Sequence, residues 1–336
     1  MKREKEFSHL VKPLTVNEPP EGLYKEKRIW MEGKDLEGFR AHISYGFIKE
    51  KGPFHPVEGS LIHPYDECLV FAGIDHTNIK YLGAEVSIEL GEEREVHVFD
   101  KPTVVVIPRG VQHGPVTVRN LDKPIVHYTI GLASDYRSEV IKHGDANAAS
   151  GNGSKYAHLV KPLLANIRGL LDAAGIKSED GKDVDEVLDE SGMGYMAATF
   201  DGVMRPKYAP AQAEMGPGNG DELVWLFGKD LEGLNVNFSW GFYSQAGKWH
   251  RGGESHTHPE EEILVYVGLD PDEINYLGAE VEIAMGENDE RHFYNKPFVA
   301  ICPKGFPHLP CITRWVDKPY SFFVICLEGT HASPWD

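Results

Sequence analysis

Two histidines and a glutamate stand close together in the stretch ESHTHPEEEILVYVG, residues 254–268. His256 and His258 are two residues apart, and Glu262 follows four residues later. Side chains two apart on a β-strand point to the same face, so both imidazoles can reach one point. Neutral imidazoles and carboxylates are ligands of first-row transition metals. The spacing therefore predicts a metal site where the strand EILVYVG begins.

A further donor of the same chemistry follows in the stretch PKGFPH, residues 303–308. A Pro-x-Gly turn followed by a strand would bring His308 back to the same point. Three imidazoles and one carboxylate suit Fe, Mn, Ni or Zn, and the residue types do not choose among these metals.

Together the two stretches, HxHx3Ex5G from residue 256 and PxGx2H from residue 303, resemble the paired motifs of the cupin superfamily. The resemblance implies one divalent transition metal held by His256, His258, Glu262 and His308. Glu262 is then the catalytic candidate, as a metal ligand that can also accept a proton.

The sequence also contains an internal repeat at an offset of 195 residues. WMEGKDLEGFRAHISYGF (30–47) matches WLFGKDLEGLNVNFSWGF (225–242), and YLGAEVSIELGEE (81–93) matches YLGAEVEIAMGEN (276–288). Two copies of one domain follow, an N-terminal one at 1–148 and a C-terminal one at 149–336. The heptapeptides SHLVKPL (8–14) and AHLVKPL (157–163) have a shorter offset, which predicts an insertion in the second copy at about 164–221.

Each copy reads as many short strands rich in Val, Ile, Phe and Tyr, separated by Gly, Pro and Asp-Lys-Pro turns. This pattern predicts an all-β sandwich or β-barrel. The resemblance sharpens it to two tandem cupin double-stranded β-helix (jelly-roll) domains, a bicupin. NIRGLLDAAG, within the insertion, predicts a small helical element.

The first copy carries an incomplete version of the metal motif. His63, Glu67 and His113 match three of the four donors at the 195-residue offset, but Leu61 stands where the second copy has its first histidine. Two interpretations stay open: a second, weaker or vestigial metal site, or a buried hydrogen-bonded cluster without a metal.

Three polar residues are candidates for substrate binding. Tyr243 ends an aromatic strand, and His250 stands six residues before the first metal-ligand candidate. Arg314 follows the second motif and recurs in the first copy as Arg119, which favours a structural ion pair, with a carboxylate clamp as the functional alternative.

Composition limits the partners that the chain can have. Asp and Glu outnumber Lys and Arg by 52 to 34 in 336 residues, for a net charge of -18. This argues against nucleic acid or an anionic membrane, and the resemblance implies a small-molecule substrate. The four cysteines lack CxxC spacing, and the basic start MKREKEFSHLVKPL lacks an apolar stretch, so we expect buried thiols in a cytoplasmic protein. A homodimer stays open.

The resemblance implies a metal-dependent enzyme but does not decide the reaction. The aromatic strands and two-domain plan favour a dioxygenase, an oxidoreductase acting on a small aromatic or carboxylated substrate. The carboxylate among the ligands favours the alternative, a redox-neutral lyase or decarboxylase of a small acid. A non-catalytic metal- or small-molecule-binding bicupin is the third hypothesis.

Overall fold

The computed structural model describes residues 5–143, 155–164, 196–198, 203–206, 220–248 and 255–330. The chain folds as two compact units. The N-terminal unit comprises Leu14–Asp75 and Lys80–Leu163, and the C-terminal unit comprises Met1–Pro13, His76–Ile79 and Leu164–Asp336. The predicted domain boundary at 148/149 lies outside the described residues, so the division of the sequence into domains stays a prediction.

The regular structure of the described residues is almost entirely strand. The strands up to residue 162 are β1 (Val11–Pro13), β2 (Val16–Asn17), β3 (Arg28–Met31), β4 (His42–Ile48), β5 (Gly52–His55), β6 (Ser60–Ile62), β7 (Glu67–Ala72), β8 (Ala84–Leu90), β9 (Glu95–Phe99), β10 (Thr103–Ile107), β11 (His113–Leu121), β12 (Ile125–Gly131), β13 (Glu139–Ile141) and β14 (Val160–Pro162). The later strands are β15 (Met196–Ala198), β16 (Met204–Pro206), β17 (Gly220–Leu226), β18 (Asn237–Tyr243), β19 (Gly247–Lys248), β20 (Glu262–Gly268), β21 (Ala279–Met285), β22 (Glu290–Tyr294), β23 (Phe298–Cys302), β24 (His308–Val316) and β25 (Tyr320–Cys326). Short 3-10 helices span Ala157–Leu159 and Gly228–Asp230.

In the N-terminal unit, a seven-stranded sheet has the order β14-β10-β7-β12-β4-β3-β2. A second sheet has the order β13-β6-β11-β8-β9, with β5 paired to β11. The apolar side chains that alternate on these strands form one core between the two sheets, including Leu69, Phe71, Ile88, Val105 and Val118. The central strands β4, β7, β10 and β12 of the larger sheet are buried on both faces, whereas β8 and β11 of the smaller sheet have more exposed residues between the buried ones.

The C-terminal unit repeats this plan. Its larger sheet has the order β1-β23-β20-β25-β18-β17-β16-β15, and its smaller sheet has the order β19-β24-β21-β22. Matching strands of the two units obey the 195-residue offset, as β4 and β18 or β11 and β24 do. The all-β class and the tandem cupin jelly-roll fold are therefore confirmed. The hydrogen-bonded strands form open sheets in the described residues, so of the two expected all-β forms the β-barrel is not closed.

The heptapeptide repeat supplies one edge strand to each unit. β1, from the first heptapeptide, pairs with β23 in the C-terminal unit, and β14, from the second, pairs with β10 in the N-terminal unit. Each strand thus belongs to the unit whose main body lies in the other half of the sequence. The described part of the 164–221 insertion adds β15 and β16 beyond β17, whereas its predicted helical element lies outside the described residues.

Candidate metal centre

The candidate ligands of the C-terminal unit lie at the starts of two strands in opposite sheets. Glu262 is the first residue of β20 and His308 is the first residue of β24. His256 and His308 form an isolated β-bridge in which each backbone N–H donates to the carbonyl of the other residue, at 3.1 Å. The continuous strand expected through His256 and His258 does not form, because Pro259 lacks a backbone donor and a bend precedes β20.

The side chains of these residues come together as the motif spacing predicts. Nε2 of His258 lies 2.9 Å from Oε2 of Glu262, and Nε2 of His308 lies 3.0 Å from the same oxygen. One nitrogen from each of the three histidines falls within 4.8 Å of the others. His258, Glu262 and His308 are buried, whereas His256 is only partly buried.

Hydrogen bonds on the far side of two rings decide which nitrogen faces the centre. Nδ1 of His258 lies 3.1 Å from the carbonyl of Glu260, and Nδ1 of His308 lies 2.9 Å from the carbonyl of Phe306. A carbonyl only accepts, so each Nδ1 carries the hydrogen and donates it. In the neutral rings, Nε2 therefore presents a lone pair towards a carboxylate oxygen. That arrangement needs a proton or a cation between the two atoms, and it fits a divalent metal.

The charges of the cluster agree with this geometry. Burial lowers the pKa of His258, but the neighbouring Glu262 outweighs burial, so the pKa is raised. Burial raises the pKa of Glu262, but His258 and His308 more than offset it and hold that pKa well below its usual range. The cluster therefore favours an ionised carboxylate with positive charge beside it.

Two cysteines border the same carboxylate. Cys302 and Cys326 are both opposite Glu262 in the strand register, and Sγ of Cys326 lies 3.4 Å from Oε1 of Glu262. Burial raises the pKa of both thiols well above the ordinary value, and the charge of Glu262 adds to the effect. Without a metal both thiols are therefore neutral, and Glu262, Cys302 and His308 form a further group that could hold a metal ion. Sequence analysis expected buried thiols but did not place them here; the pairing of their strands with β20 was the missing signal.

The incomplete motif of the N-terminal unit also assembles. Nε2 of His63 and Nε2 of His113 lie 3.3 Å and 3.6 Å from Oε2 of Glu67, and all three side chains are buried. Nδ1 of His63 lies 2.8 Å from the carbonyl of Arg137, so Nε2 again faces the centre. These three residues could hold a metal ion. Their side chains are slightly farther apart than in the C-terminal unit.

Leu61 occupies the place of the missing ligand. It pairs with His113 in the sheet as His256 pairs with His308 in the C-terminal unit. Its side chain is 1% exposed and packs with Leu23 and Trp30. An apolar group therefore closes the side of the cluster on which the other unit has an imidazole.

The three substrate candidates have different positions. Tyr243 pairs with Tyr320 at one end of β25, and Glu262 pairs with Cys326 at the other end, six residues away. Tyr243 is therefore about 20 Å from the ligand cluster. Arg314 is exposed and forms an ion pair with the buried Glu282, as the structural interpretation expects. His250 lies outside the described residues.

Comparison with solved structures finds the same fold. A tryptophan-to-phenylalanine variant of oxalate decarboxylase from Bacillus subtilis matches with a TM-score of 0.52 and 9% identity, covering 96% of this chain and 78% of that one. Oxalate decarboxylase from Bacillus subtilis at pH 4.6 matches with a TM-score of 0.52 and 10% identity, covering 96% of this chain and 77% of that one. A structure of the same enzyme whose subject is its Mn(II) centres matches with a TM-score of 0.50 and 11% identity, covering 93% of this chain and 75% of that one.

No family model and no curated protein matches the chain. No helix in the described part has the length and hydropathy of a membrane-crossing helix. Identities of 9–11% establish the fold alone. The chain therefore has a tandem cupin fold, with His/Glu groups in both units that could hold a divalent metal ion.

Proposed function

We propose that the chain is a metal-dependent, redox-neutral lyase or decarboxylase of a small organic acid, with its metal in the C-terminal unit. His256, His258, Glu262 and His308 are the proposed ligands. The observation that carries the proposal is the convergence of two Nε2 atoms on one buried carboxylate oxygen, with both rings fixed by backbone carbonyls. Without a cation or a shared proton, these lone pairs would repel one another.

The protein side chains have separable tasks in this proposal. A bound divalent metal would supply a Lewis acid that stabilises negative charge on the oxygens of the substrate. The carbonyls of Glu260 and Phe306 fix the orientations of His258 and His308. Both oxygens of Glu262 are engaged, Oε1 by a thiol and Oε2 by two imidazoles, so we assign it to metal binding before proton transfer.

Access to the centre supports an enzyme over a purely structural metal. Three of the proposed ligands are buried, whereas His256 is partly exposed with a buried Nδ1, so His256 marks the side of the cluster nearest to solvent. A small acid could approach from that side, while buried neighbours such as Ile263 and Cys302 exclude water behind the carboxylate. A closed cluster would instead favour a binding protein.

The names of the structural neighbours favour this reaction class over the dioxygenase that the sequence suggested first. They are oxalate decarboxylases, and one is described by its Mn(II) centres. A carboxylate among the proposed ligands is consistent with that class. We therefore rank the lyase or decarboxylase hypothesis above the dioxygenase, with Mn(II) as the first metal to supply.

The test uses the full chain, stripped with chelator and reloaded separately with Mn(II), Fe(II), Ni(II) or Zn(II). Each form is incubated with 13C-labelled oxalate, malonate and benzoate while labelled CO2, remaining acid and dissolved oxygen are followed together. Loss of acid with CO2 release and no net oxygen uptake is expected with one of the metals. Oxygen uptake equal to acid consumed would favour the dioxygenase, and no consumption of any acid would contradict the proposal.

Two variants assign the reaction to the site. The double variant His256→Ala, His308→Ala should lose both turnover and the metal of the C-terminal unit. His158→Ala is the matched control, because His158 is an exposed histidine in the N-terminal unit. Full activity in the double variant would remove the reaction from this centre.

A further inference from the structure

A group of polar residues lies inside the N-terminal unit, on the inner face of its larger sheet. Arg28, Ser44, His127 and Thr129 come from the adjacent strands β3, β4 and β12, and all are at most 2% exposed. Oγ of Ser44 and Oγ1 of Thr129 are 2.8 Å apart. The opposite end of the same face is apolar and belongs to the core, so the polar end is a distinct environment.

Arg28 is the charged member of this group. Its side chain crosses Gly46, where a Cβ would come within 3.0 Å of the Cβ of Arg28, and Nη2 donates to the carbonyl of His127 at 2.5 Å. Its guanidinium lies 3.9 Å from the ring centroid of Tyr24 and 5.9 Å from that of Phe54. The group is thus held in place by a glycine, a carbonyl and two aromatic rings.

Arg28 lacks a direct ion-pair partner in the described part of the chain. No carboxylate there forms an ion pair with it, and Nε of Arg28 is buried without a hydrogen-bond partner among the described residues. Glu26 attracts Arg28 electrostatically without forming an ion pair, and the buried Glu67 lies 3.3 Å and 3.6 Å from Nε2 of His63 and of His113. Burial raises the pKa of Tyr24 to about 12, so the phenol is neutral at ordinary pH.

An uncompensated guanidinium is costly to bury, because arginine stays charged in proteins. Adding a divalent metal at Glu67 would make the interior more positive still. Whether or not a metal is present, the polar interior of this unit therefore favours an anion.

The orphaned polar atoms extend from Arg28 to the histidine cluster. Nδ1 of His55 is buried without a hydrogen-bond partner among the residues described. The ring of His55 lies 4.7 Å from that of Tyr24 and 6.2 Å from that of His113. Buried donors and acceptors are normally satisfied, and a ligand with acceptor atoms beside Nε of Arg28 and Nδ1 of His55 would satisfy both.

The other copy of the domain does not have this chemistry. At the 195-residue offset, Leu223 stands for Arg28, Phe322 for His127 and Val324 for Thr129, and all three are buried. The two copies have the same fold, but only the N-terminal copy has a cation in its interior at these positions. The buried arginine is therefore specific to the N-terminal unit and does not follow from the fold that the two units share.

We propose that the N-terminal unit contains a second ligand site, in which Arg28 binds a small organic carboxylate. The planar guanidinium presents paired N–H donors that match a carboxylate, and the rings of Tyr24 and Phe54 border it. His55 and the hydroxyls of Ser44 and Thr129 are further polar groups of the site. The proposal does not depend on the function proposed for the C-terminal unit, since all of these residues lie in the N-terminal unit.

The experiment is isothermal titration calorimetry on the metal-free full chain carrying His256→Ala and His308→Ala, so that the other unit cannot contribute a metal-bound ligand. The probes are oxalate, succinate, benzoate and inorganic phosphate. One carboxylate should bind at one molecule per chain. Arg28→Gln should weaken it about 10- to 100-fold, the effect of losing charge-assisted hydrogen bonds, and Arg119→Gln, at an exposed arginine of the same unit, should not.

Thermal unfolding separates a ligand site from a structural arginine. Arg28→Met, without ligand, should unfold at the same or a higher temperature than the parent, because it removes an unbalanced buried charge. It should also lose the rise in unfolding temperature that the carboxylate gives to the parent. Lower stability with the ligand-induced rise intact, binding of phosphate alone, or no binding of any carboxylate would each overturn the proposal.

Discussion

Leu61→His is the sharpest test of how the two units are related. Leu61 pairs with His113 as His256 pairs with His308, so a histidine there would supply the imidazole that the N-terminal cluster lacks. We expect the variant to bind about one more metal ion per chain than its parent. The natural parent for this test is the double variant His256→Ala, His308→Ala, in which the C-terminal unit no longer contributes.

The expected stability change has two opposing parts. The leucine side chain is 1% exposed and packs with Leu23, Tyr24 and Trp30, and burying an imidazole there without a partner should cost about 1–3 kcal/mol. Metal at 100 times its dissociation constant would stabilise the folded chain by about 2.7 kcal/mol. The variant should therefore be less stable than its parent in chelator and close to it with metal.

The assay combines metal content by mass spectrometry with unfolding in chelator and in Mn(II) or Zn(II). Leu61→Ala is the control, because it removes the same apolar contacts without adding a ligand, and it should gain neither metal nor metal-dependent stability. If Leu61→His behaved like Leu61→Ala in both measurements, the N-terminal triad would not be shaped for a metal. The hydrogen-bonded cluster would then be the better interpretation.

Three other perturbations test separate parts of the structure. His256→Ala with His308→Ala should remove the metal of the C-terminal unit, and unchanged metal per chain would disprove the ligand assignment. Arg314→Ala should leave metal content and turnover unchanged. It should alter the free energy of unfolding by no more than about 1 kcal/mol, because the arginine of the ion pair with Glu282 is exposed to solvent. A large loss of turnover would restore the carboxylate-clamp hypothesis. Burial, and then the nearby Arg28, hold the pKa of His127 well below its ordinary value of 6.5. Below about pH 6.5 this imidazole is therefore protonated in the unfolded chain but stays neutral in the folded chain. Stability should therefore fall as pH drops below about 6.5, with a contribution of about 2 kcal/mol from this residue between pH 7 and pH 5. His127→Phe, the residue found at the matching position of the second copy, should remove that part of the pH dependence in urea unfolding, and an identical pH dependence would refute the assignment.

The sequence was a good guide wherever the positions of side chains follow from local spacing. HxHx3E and PxGx2H predict the assembly of His258, Glu262 and His308 because each motif fixes its residues at the start of one strand, and the jelly roll brings those starts together. Even here the expected strand through His256 is only a single bridge. The 195-residue repeat likewise predicted two units and an altered ligand position at Leu61.

Features that depend on the pairing of distant strands were not predictable in this way. Cys302 and Cys326 border Glu262 only because β23 and β25 flank β20 in a particular register. Tyr243 is distant from the cluster for the same reason: its strand runs away from the ligands. An aromatic residue at the end of a strand gives no local indication of which end of the sheet carries the site.

By itself, then, the sequence determined the all-β class, the repeat and the residues able to ligate a metal, since side-chain alternation and ligand chemistry are local properties. Only the tertiary structure decided that each copy supplies an edge strand, β1 or β14, to the unit of the other. It also decided that Arg28 lies beside His127, almost a hundred positions away in sequence, with no carboxylate paired to it in the described residues. Burial and charge balance are sums over neighbours from many strands, and the order and register of those strands are set by packing of the whole sandwich.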